Sequence, residues 1–443
     1  MKRDHHIADA FRKEFGDWRL WSARCLVIAA AALAGLTIVG FTWIAERALD
    51  IFFDLRSAVW WSPIIWTPLC TGAIVWLGRK YAMGVAGSGI PQVMAALEPS
   101  VDAAHRGLFV SIKLSVAKIV LTTWGLLAGL SLGREGPSVQ IAAGVMLAVR
   151  RWLPKRTGVT HHGLLVAGGA AGIAAAFNTP LAGVMFAIEE LSRVPEQRSS
   201  GLLIASIVLA GLIAVSITGN ATYFGIIHAR ETGWSLVVPG LLVTICSGLA
   251  GGLFSRLLIA SLNGESMDRA SRFRSRHPVL FSVVCGLAVA AIGLATNGAT
   301  FGSGYTHTRH MLEGTENTPA VYVLFKFVAT WLTTWSGVPA GIFAPSLAIG
   351  AALGNDVAMF LHSPDAPALI ALGMAGFLAA VTQAPLTSFI IVMEMVDGHA
   401  MVLSLMACAL IASVISRVLS RPLYHTLALI QLKRLPAQPL ENA

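Results

Sequence analysis

Residues 119–149 form an apolar segment that is interrupted at its centre, where the sequence reads "LSLGREGPSVQ" (130–140). Arg134 and Glu135 lie side by side there, between glycines and a proline. Only 12% of the chain is charged and 55% is hydrophobic, whereas a soluble domain has roughly 25% charged residues. The composition therefore predicts a polytopic membrane protein. Its broken segments must be buried in protein or face a polar cavity, because exposed loops are not tolerated in a bilayer core.

The first uninterrupted apolar run covers residues 25–44 and is long enough to cross a bilayer. The polar segment before it is too long for a cleavable signal peptide, and the run has no small-residue cleavage pattern. From these features we predict a basic cytoplasmic segment at 1–24, a transmembrane domain at 25–430 and a short cytoplasmic tail at 431–443.

The chain has a net charge of +9, and its basic clusters lie outside the apolar runs. The positive-inside rule predicts that these clusters and both termini lie in the cytoplasm. Nucleic acid is excluded as a partner, because no basic patch alternates with aromatic residues on a soluble domain. The clusters are Lys2, Arg3, Arg12, Lys13, Arg19 and Arg24, then Arg150, Arg151, Lys155 and Arg156, then Arg269, Arg272, Arg274 and Arg276, and finally Arg417, Arg421, Lys433 and Arg434.

Segments in the first half of the sequence recur in the second half. "GREGPS" (133–138) aligns with "GIFAPS" (341–346), and the same shift of 208 residues places Lys118 on Lys326. "FNTPLAGVMFAIEE" (177–190) aligns with "TQAPLTSFIIVMEM" (382–395), which places Glu189 on Glu394. We predict two repeats, at roughly 60–200 and 280–416. Helices broken at corresponding positions of two repeats indicate a binding site at the repeat interface.

Three short stretches have the form of helix starts inside the membrane: "GSGIP" (87–91), "GREGP" (133–137) and "GIFAP" (341–345). Glycine allows a close backbone approach, and proline fits the first turn of a helix, where its missing N–H costs nothing. A helix N-terminus directs unpaired N–H groups and a positive dipole end at its surroundings. Together the three stretches predict an anion site that needs no full positive charge.

With "RPLYHTL" (421–427), these stretches resemble the four signature elements of the CLC family of chloride channels and proton-coupled chloride exchangers. The likeness covers residues 25 to 430. It implies an all-α polytopic membrane fold with two inverted repeats of broken, partly spanning helices. It also implies a homodimer with one pathway per subunit, chloride and protons as substrates, and no cofactor or metal. The short tail excludes the C-terminal regulatory domains of some relatives and indicates a protein of the cell inner membrane.

The resemblance also implies the roles of individual residues. Glu135 corresponds to the gating glutamate, whose carboxylate occupies an anion position until a proton or a chloride displaces it. Glu190 corresponds to the internal glutamate that transfers protons in many exchangers. The implied anion-binding residues are Ser88 and Tyr424 through their hydroxyls, Ile342 and Phe343 through their N–H groups, and Gly87, Arg134 and Gly136 beside them.

Several of these residues have a structural interpretation as well. Arg134 either offsets the charge of Glu135 at the outer entrance or forms a structural salt bridge. Lys118 either steers chloride or pairs with a carboxylate. Glu190 is also compatible with a solvated helix end, whereas we interpret Glu189 and its repeat partner Glu394 as structural.

We predict chloride/proton exchange, with a passive chloride channel gated by voltage or pH as the alternative. The channel would need no internal proton site, so Glu190 distinguishes the two functions. An intramembrane enzyme is excluded, because the membrane runs contain no Ser/His or Ser/Lys dyad and no histidine-rich metal motif.

Overall fold

The computed structural model describes residues 18–154, 157–192, 200–219, 223–225, 236–264, 268–315 and 319–433. The predicted segment 1–24 and tail 431–443 therefore lie mostly outside the described residues, as do Lys155 and Arg156. The described residues are almost entirely helical, and the β-structure among them is one isolated bridge between Gly133 and Gly341. The predicted all-α fold is confirmed.

The N-terminal half of the described chain contains nine α-helices. They are α1 (Trp18–Ala58), α2 (Pro63–Tyr81), α3 (Ile90–Leu97), α4 (Ala103–Arg106), α5 (Ile112–Leu127), α6 (Glu135–Ala148), α7 (His161–Phe177), α8 (Pro180–Phe186) and α9 (Ser200–Thr218).

The C-terminal half of the described chain contains ten. They are α10 (Val237–Asn263), α11 (Arg269–Arg276), α12 (Pro278–Ala295), α13 (Tyr305–Leu312), α14 (Val321–Ser336), α15 (Phe343–Phe360), α16 (Ala366–Thr382), α17 (Pro385–Met395), α18 (Val402–Leu419) and α19 (Leu423–Leu432). Helices α12 to α18 follow the order and approximate lengths of α2, α3 and α5 to α9, so the same series of long and short helices occurs twice.

Six helices of the described chain are long and apolar enough to cross a membrane. The first runs for 41 residues and therefore extends well beyond the predicted span at 25–44. Its flanks are polar but contain no proline, and helix-favouring residues such as Glu46 and Arg47 continue it past the apolar core. The six are Trp18–Ala58, Gly201–Thr218, Val237–Asn263, Pro278–Ala295, Phe343–Phe360 and His399–Leu419.

Both repeats break a helix in the same way. Helix α7 ends at Asn178 and α16 ends at Gln383, and both residues adopt the left-handed conformation with φ of 60°. Two residues later, Pro180 and Pro385 begin α8 and α17. Because proline lacks an N–H, it fits best in the first turn of a helix, and the chain starts a new helix there.

Two glutamates join the repeats reciprocally. The Glu189 carboxylate accepts hydrogen bonds from the N–H groups of Leu386 (3.1 Å) and Thr387 (2.7 Å), at the start of α17. The Glu394 carboxylate accepts from Leu181 (3.2 Å) and Ala182 (2.7 Å), at the start of α8. A carboxylate satisfies N–H groups that have no partner within their own helix and complements the helix dipole. The structural interpretation of both glutamates is confirmed.

Two buried lysines also occupy equivalent positions. Lys118 Nζ donates to the carbonyl oxygens of Val85 and Gly87, both at 2.7 Å. Lys326 Nζ donates to the carbonyl oxygens of Thr300 (3.0 Å) and Gly302 (2.8 Å). Lys118 has no carboxylate within 4.0 Å among the described residues, so of its two predicted alternatives the pairing with a carboxylate is wrong. Each lysine instead fixes the glycine-rich loop that precedes a short helix.

Candidate functional site

The three predicted helix starts come together at the centre of the protein. The Gly87 N–H donates to the Val338 carbonyl (3.1 Å), and the Ala340 N–H donates back to the Gly87 carbonyl (3.2 Å). Gly133 and Gly341 exchange two hydrogen bonds of 2.8 and 3.1 Å as an antiparallel pair. The segment before α15 is therefore bonded to "GSGIP" on one side and to "GREGP" on the other. Antiparallel pairing of equivalent residues is what a local two-fold rotation between the repeats produces.

Glycine is required where these segments touch. A Cβ atom on Gly136 would overlap the Ser88 hydroxyl and would lie 2.9 Å from the Ser88 carbonyl oxygen. Gly89 has φ of 108°, and a Cβ atom there would lie 2.6 Å from the Gly136 carbonyl oxygen. Both distances are shorter than any normal contact of a Cβ atom. The glycines thus bring the Ser88 hydroxyl directly against the start of α6.

Three polar side chains at this junction are buried and lack hydrogen-bond partners among the described residues. They are the hydroxyl of Ser88, both carboxylate oxygens of Glu135 and the hydroxyl of Tyr424. Most buried polar groups in proteins are paired, and an unpaired one costs about 1–3 kcal/mol. The Ser88 and Tyr424 hydroxyls are close enough to interact with each other, and two such neighbouring hydroxyls fit an anion as a shared acceptor.

Tyr424 reaches the junction from the C-terminal end of the chain. Its ring stacks on that of Phe343, with the ring centroids 5.9 Å apart and the planes inclined by 10°. Phe343 is the first residue of α15 and Ile342 is its N-cap, so their N–H groups lie at the unsatisfied end of the helix. The side-chain amide of Gln383 supports this arrangement by donating to the Ser420 carbonyl (3.0 Å), in the loop before α19.

The Glu135 carboxylate lies between two helix N-termini. Glu135 is the first residue of α6, and a Cβ atom on Gly133 would overlap its carboxylate. The N–H groups of Glu135 itself and of Ala344, in the first turn of α15, are close enough to stabilise its charge, although neither meets hydrogen-bond geometry. A negatively charged side chain therefore occupies a place that is suited to a free anion.

Arg134 forms a salt bridge, which was one of the two alternatives for this residue. Its Nη1 lies 2.7 Å from Oε1 of Glu46 on α1, and its Nη2 donates to the Tyr223 hydroxyl at 3.3 Å. Neither partner could be predicted from a local sequence pattern, because Glu46 is 88 residues away and Tyr223 is 89 residues away. The salt bridge does not exclude an effect on Glu135, since the two charges are close enough to interact.

Glu190 lies apart from this junction, in a cavity of about 440 Å³. A π-turn over Ala187–Leu191 follows α8 and places both Glu189 and Glu190 at the wall of the cavity. Glu190 is within electrostatic range of the Tyr424 hydroxyl, which belongs to the junction. The cavity is lined by Glu189, Glu190, Thr382, Gln383, Arg417, Ser420, Arg421, Pro422 and His425.

Comparison with known proteins places this arrangement in a family. The sequence profile of the family described as "Voltage gated chloride channel" matches residues 69–417. The H(+)/Cl(-) exchange transporter ClcA of Citrobacter koseri is 30% identical over 442 residues, covering 90% of this chain and 88% of the relative. ClcA of Klebsiella pneumoniae (strain 342) is 31% identical over 437 residues, covering 91% and 88%.

Solved structures show the same fold. A slow cyanobacterial Cl⁻/H⁺ antiporter has a TM-score of 0.80 at 24% identity and covers 93% of this chain and 98% of its own. A CLC-type fluoride/proton antiporter has a TM-score of 0.73 at 21% identity, covering 92% and 98%. The matched profile spans well over half of the chain, and the relatives are similar over nearly their whole length. The chain therefore belongs to the voltage-gated chloride channel family, the CLC family.

Proposed function

We propose that this protein is a secondary active transporter that exchanges chloride for protons, with Glu135 as the gate and Glu190 as the internal proton acceptor. The observation that carries the proposal is the meeting of three unpaired, buried groups, those of Ser88, Glu135 and Tyr424, at the N-termini of α6 and α15. The ClcA relatives are named H(+)/Cl(-) exchange transporters, which supports exchange.

Chloride would bind between the hydroxyls of Ser88 and Tyr424 and the N–H groups of Ile342 and Phe343. These groups are neutral, and neutral donors bind a halide moderately, so that it can also leave. The segments that present them are joined by hydrogen bonds at Gly87, Gly133 and Gly341. Because those bonds fix the backbone, the donors need little reorganisation when an anion arrives.

The Glu135 carboxylate would compete with chloride for the same surroundings. When charged, it is attracted by the two helix N-termini beside it, as an anion is. When it binds a proton it loses that attraction, leaves the anion position and allows chloride to enter. One side chain thereby links the movement of a proton to the movement of an anion.

Glu190 would exchange protons with the solvent, on a proton branch of the pathway that is separate from the chloride branch. It is partly exposed in the cavity, whereas Glu135 is fully buried. The Tyr424 hydroxyl is within electrostatic range of both glutamates. A proton route through Glu190 would therefore meet the chloride route at Tyr424.

The assembly and sidedness that the resemblance implies are also part of the proposal. All the elements of the site come from one chain, which supports one pathway in each subunit of a homodimer. The cytoplasmic termini are a proposal from the basic clusters, and the inner membrane is a proposal from the resemblance to the bacterial ClcA transporters. Cross-linking in membranes tests the dimer, and the reaction of a cysteine placed before Trp18 with an impermeant reagent tests the sidedness.

The reversal potential in a planar bilayer tests the exchange itself. With a fixed chloride gradient, the pH on one side is varied while the zero-current voltage is recorded. An exchanger's reversal potential depends on both gradients, so it should shift with the pH gradient. A potential that stays at the chloride equilibrium value would assign the protein to the passive channels.

A further inference from the structure

The second repeat contains a loop that the proposed chloride site does not use. Gly302–Ser303–Gly304 corresponds to the first three residues of "GSGIP", and Lys326 fixes it as Lys118 fixes its counterpart. In the first repeat, this construction presents Ser88 to the anion site. In the second, it leads directly into Tyr305, the first residue of α13.

Tyr305 holds a short segment of the chain against the site. Its hydroxyl donates to the Tyr223 carbonyl at 2.8 Å. Its ring lies 4.8 Å from that of Tyr223 and is stacked on that of Phe224 at 5.3 Å, measured between centroids. From the other side, the Phe224 N–H donates to the Met395 carbonyl at 2.9 Å. Residues 223 and 224 are thus fixed by two separate helices of the second repeat, α13 and α17.

Tyr223 in turn contacts Arg134, the charged residue next to the proposed gate, Glu135. Its hydroxyl accepts a hydrogen bond from Arg134 at 3.3 Å. The other partners of Arg134 are the Thr42 carbonyl, at 3.4 Å, and Glu46, whose side chain is 58% exposed, whereas that of Arg134 is 11% exposed. An ion pair with such an exposed partner holds a side chain weakly. The position of Arg134 therefore depends on Tyr223 as well.

We infer that Tyr305 is a positioning residue for proton-coupled exchange: through Tyr223 it keeps the Arg134 guanidinium beside the Glu135 carboxylate. The inference rests on the proposed function. Arg134 attracts the charged carboxylate and so helps to keep it in the anion position. With Arg134 less firmly placed, the unprotonated carboxylate leaves that position more often, and chloride passes without a proton.

Tyr305→Phe removes the hydroxyl and keeps the ring that packs on Tyr223 and Phe224. The variant is reconstituted into liposomes, and chloride and pH electrodes record both fluxes at once. Loss of one ordinary hydrogen bond changes an equilibrium by about fivefold. We therefore expect the chloride-to-proton ratio to rise by up to about fivefold. Reduced folding alone would lower both fluxes together and leave their ratio unchanged.

Two further variants complete the test. Tyr81→Phe removes an exposed tyrosine hydroxyl at the end of α2 and should leave the ratio unchanged. Tyr223→Phe removes the contact with Arg134 directly and should raise the ratio as well. Because both hydroxyls act through Arg134, the variant with both changes should not exceed the larger single effect by more than the error.

The outcomes separate the two proposals. A wild-type protein that moves chloride without protons overturns both the exchange and this inference. A coupled wild type with an unchanged ratio in Tyr305→Phe overturns the inference alone. If Tyr305→Phe yields no folded protein, an unchanged ratio in Tyr223→Phe overturns it equally.

Discussion

Replacing Glu394 removes a carboxylate that accepts two N–H hydrogen bonds at the start of α8, at 3.2 and 2.7 Å. A hydrogen bond to a charged group contributes about 1.5–3 kcal/mol, and a long one contributes less. Because Glu394 is partly exposed, we expect Glu394→Ala to lower the free energy of unfolding by about 2 kcal/mol. Glu394→Gln keeps one carbonyl acceptor but loses the charge, so it should cost about 1 kcal/mol.

The chain's twelve tryptophans allow thermal unfolding of the detergent-solubilised protein to be followed by fluorescence. A loss of 2 kcal/mol is roughly a 30-fold change in the unfolding equilibrium, so the apparent melting temperature should fall in the order wild type, Glu394→Gln, Glu394→Ala. Glu189→Gln should resemble Glu394→Gln, because the contacts are reciprocal. The chloride-to-proton ratio of the Glu394 variants should not change, since Glu394 lies outside the proposed site.

Glu313 provides a matched control. It forms an equally short ion pair with Arg309, at 2.7 Å, but both side chains are about half exposed. Exposed pairs of this kind contribute at most about 0.5 kcal/mol within a helix, so Glu313→Ala should leave the melting temperature nearly unchanged. If Glu394→Ala is no less stable than Glu313→Ala, the carboxylate does not join the repeats as described.

Three further variants test the site. Glu135→Gln should abolish proton movement and retain chloride flux, because an amide cannot carry the proton; uphill proton movement in this variant would contradict the gate. Glu190→Ala should likewise stop protons but not chloride in electrode recordings, and unchanged proton pumping would make Glu190 purely structural. Gly136→Ala should weaken chloride binding by about tenfold in calorimetry, because the new Cβ overlaps the Ser88 hydroxyl. Gly40→Ala, where a Cβ meets open space, should bind chloride as the wild type does.

The sequence was most informative where structure is determined locally. Glycine and proline specify where a helix can begin, and the motifs at 133–137 and 341–345 do contain the first residues of α6 and α15. The family resemblance is confirmed by the matched profile, which also makes the chain a transport protein rather than an enzyme. The first span was underestimated because an apolar run ends where charged residues begin. A helix made of helix-favouring residues continues through those charged residues.

Contacts between distant residues could not be predicted in this way. Arg134 has partners 88 and 89 residues away, and no local pattern connects them. Lys118 binds backbone carbonyls, which every residue possesses, so its acceptors have no sequence signature. One signal was available: Lys118 recurs at Lys326 in the other repeat, and neither aligns with a recurring acid nearby. A repeated buried cation without a repeated anion favours backbone acceptors.

The most direct test of coupled exchange is a pH recording outside liposomes that contain the purified protein, with a chloride gradient imposed and the membrane voltage clamped. An outward chloride gradient should drive protons into the liposomes against their own gradient, and the external pH should rise. Glu135→Gln liposomes measured in parallel should release chloride without that rise. Chloride release from wild-type liposomes with no change in external pH would contradict the account and leave a passive chloride pathway.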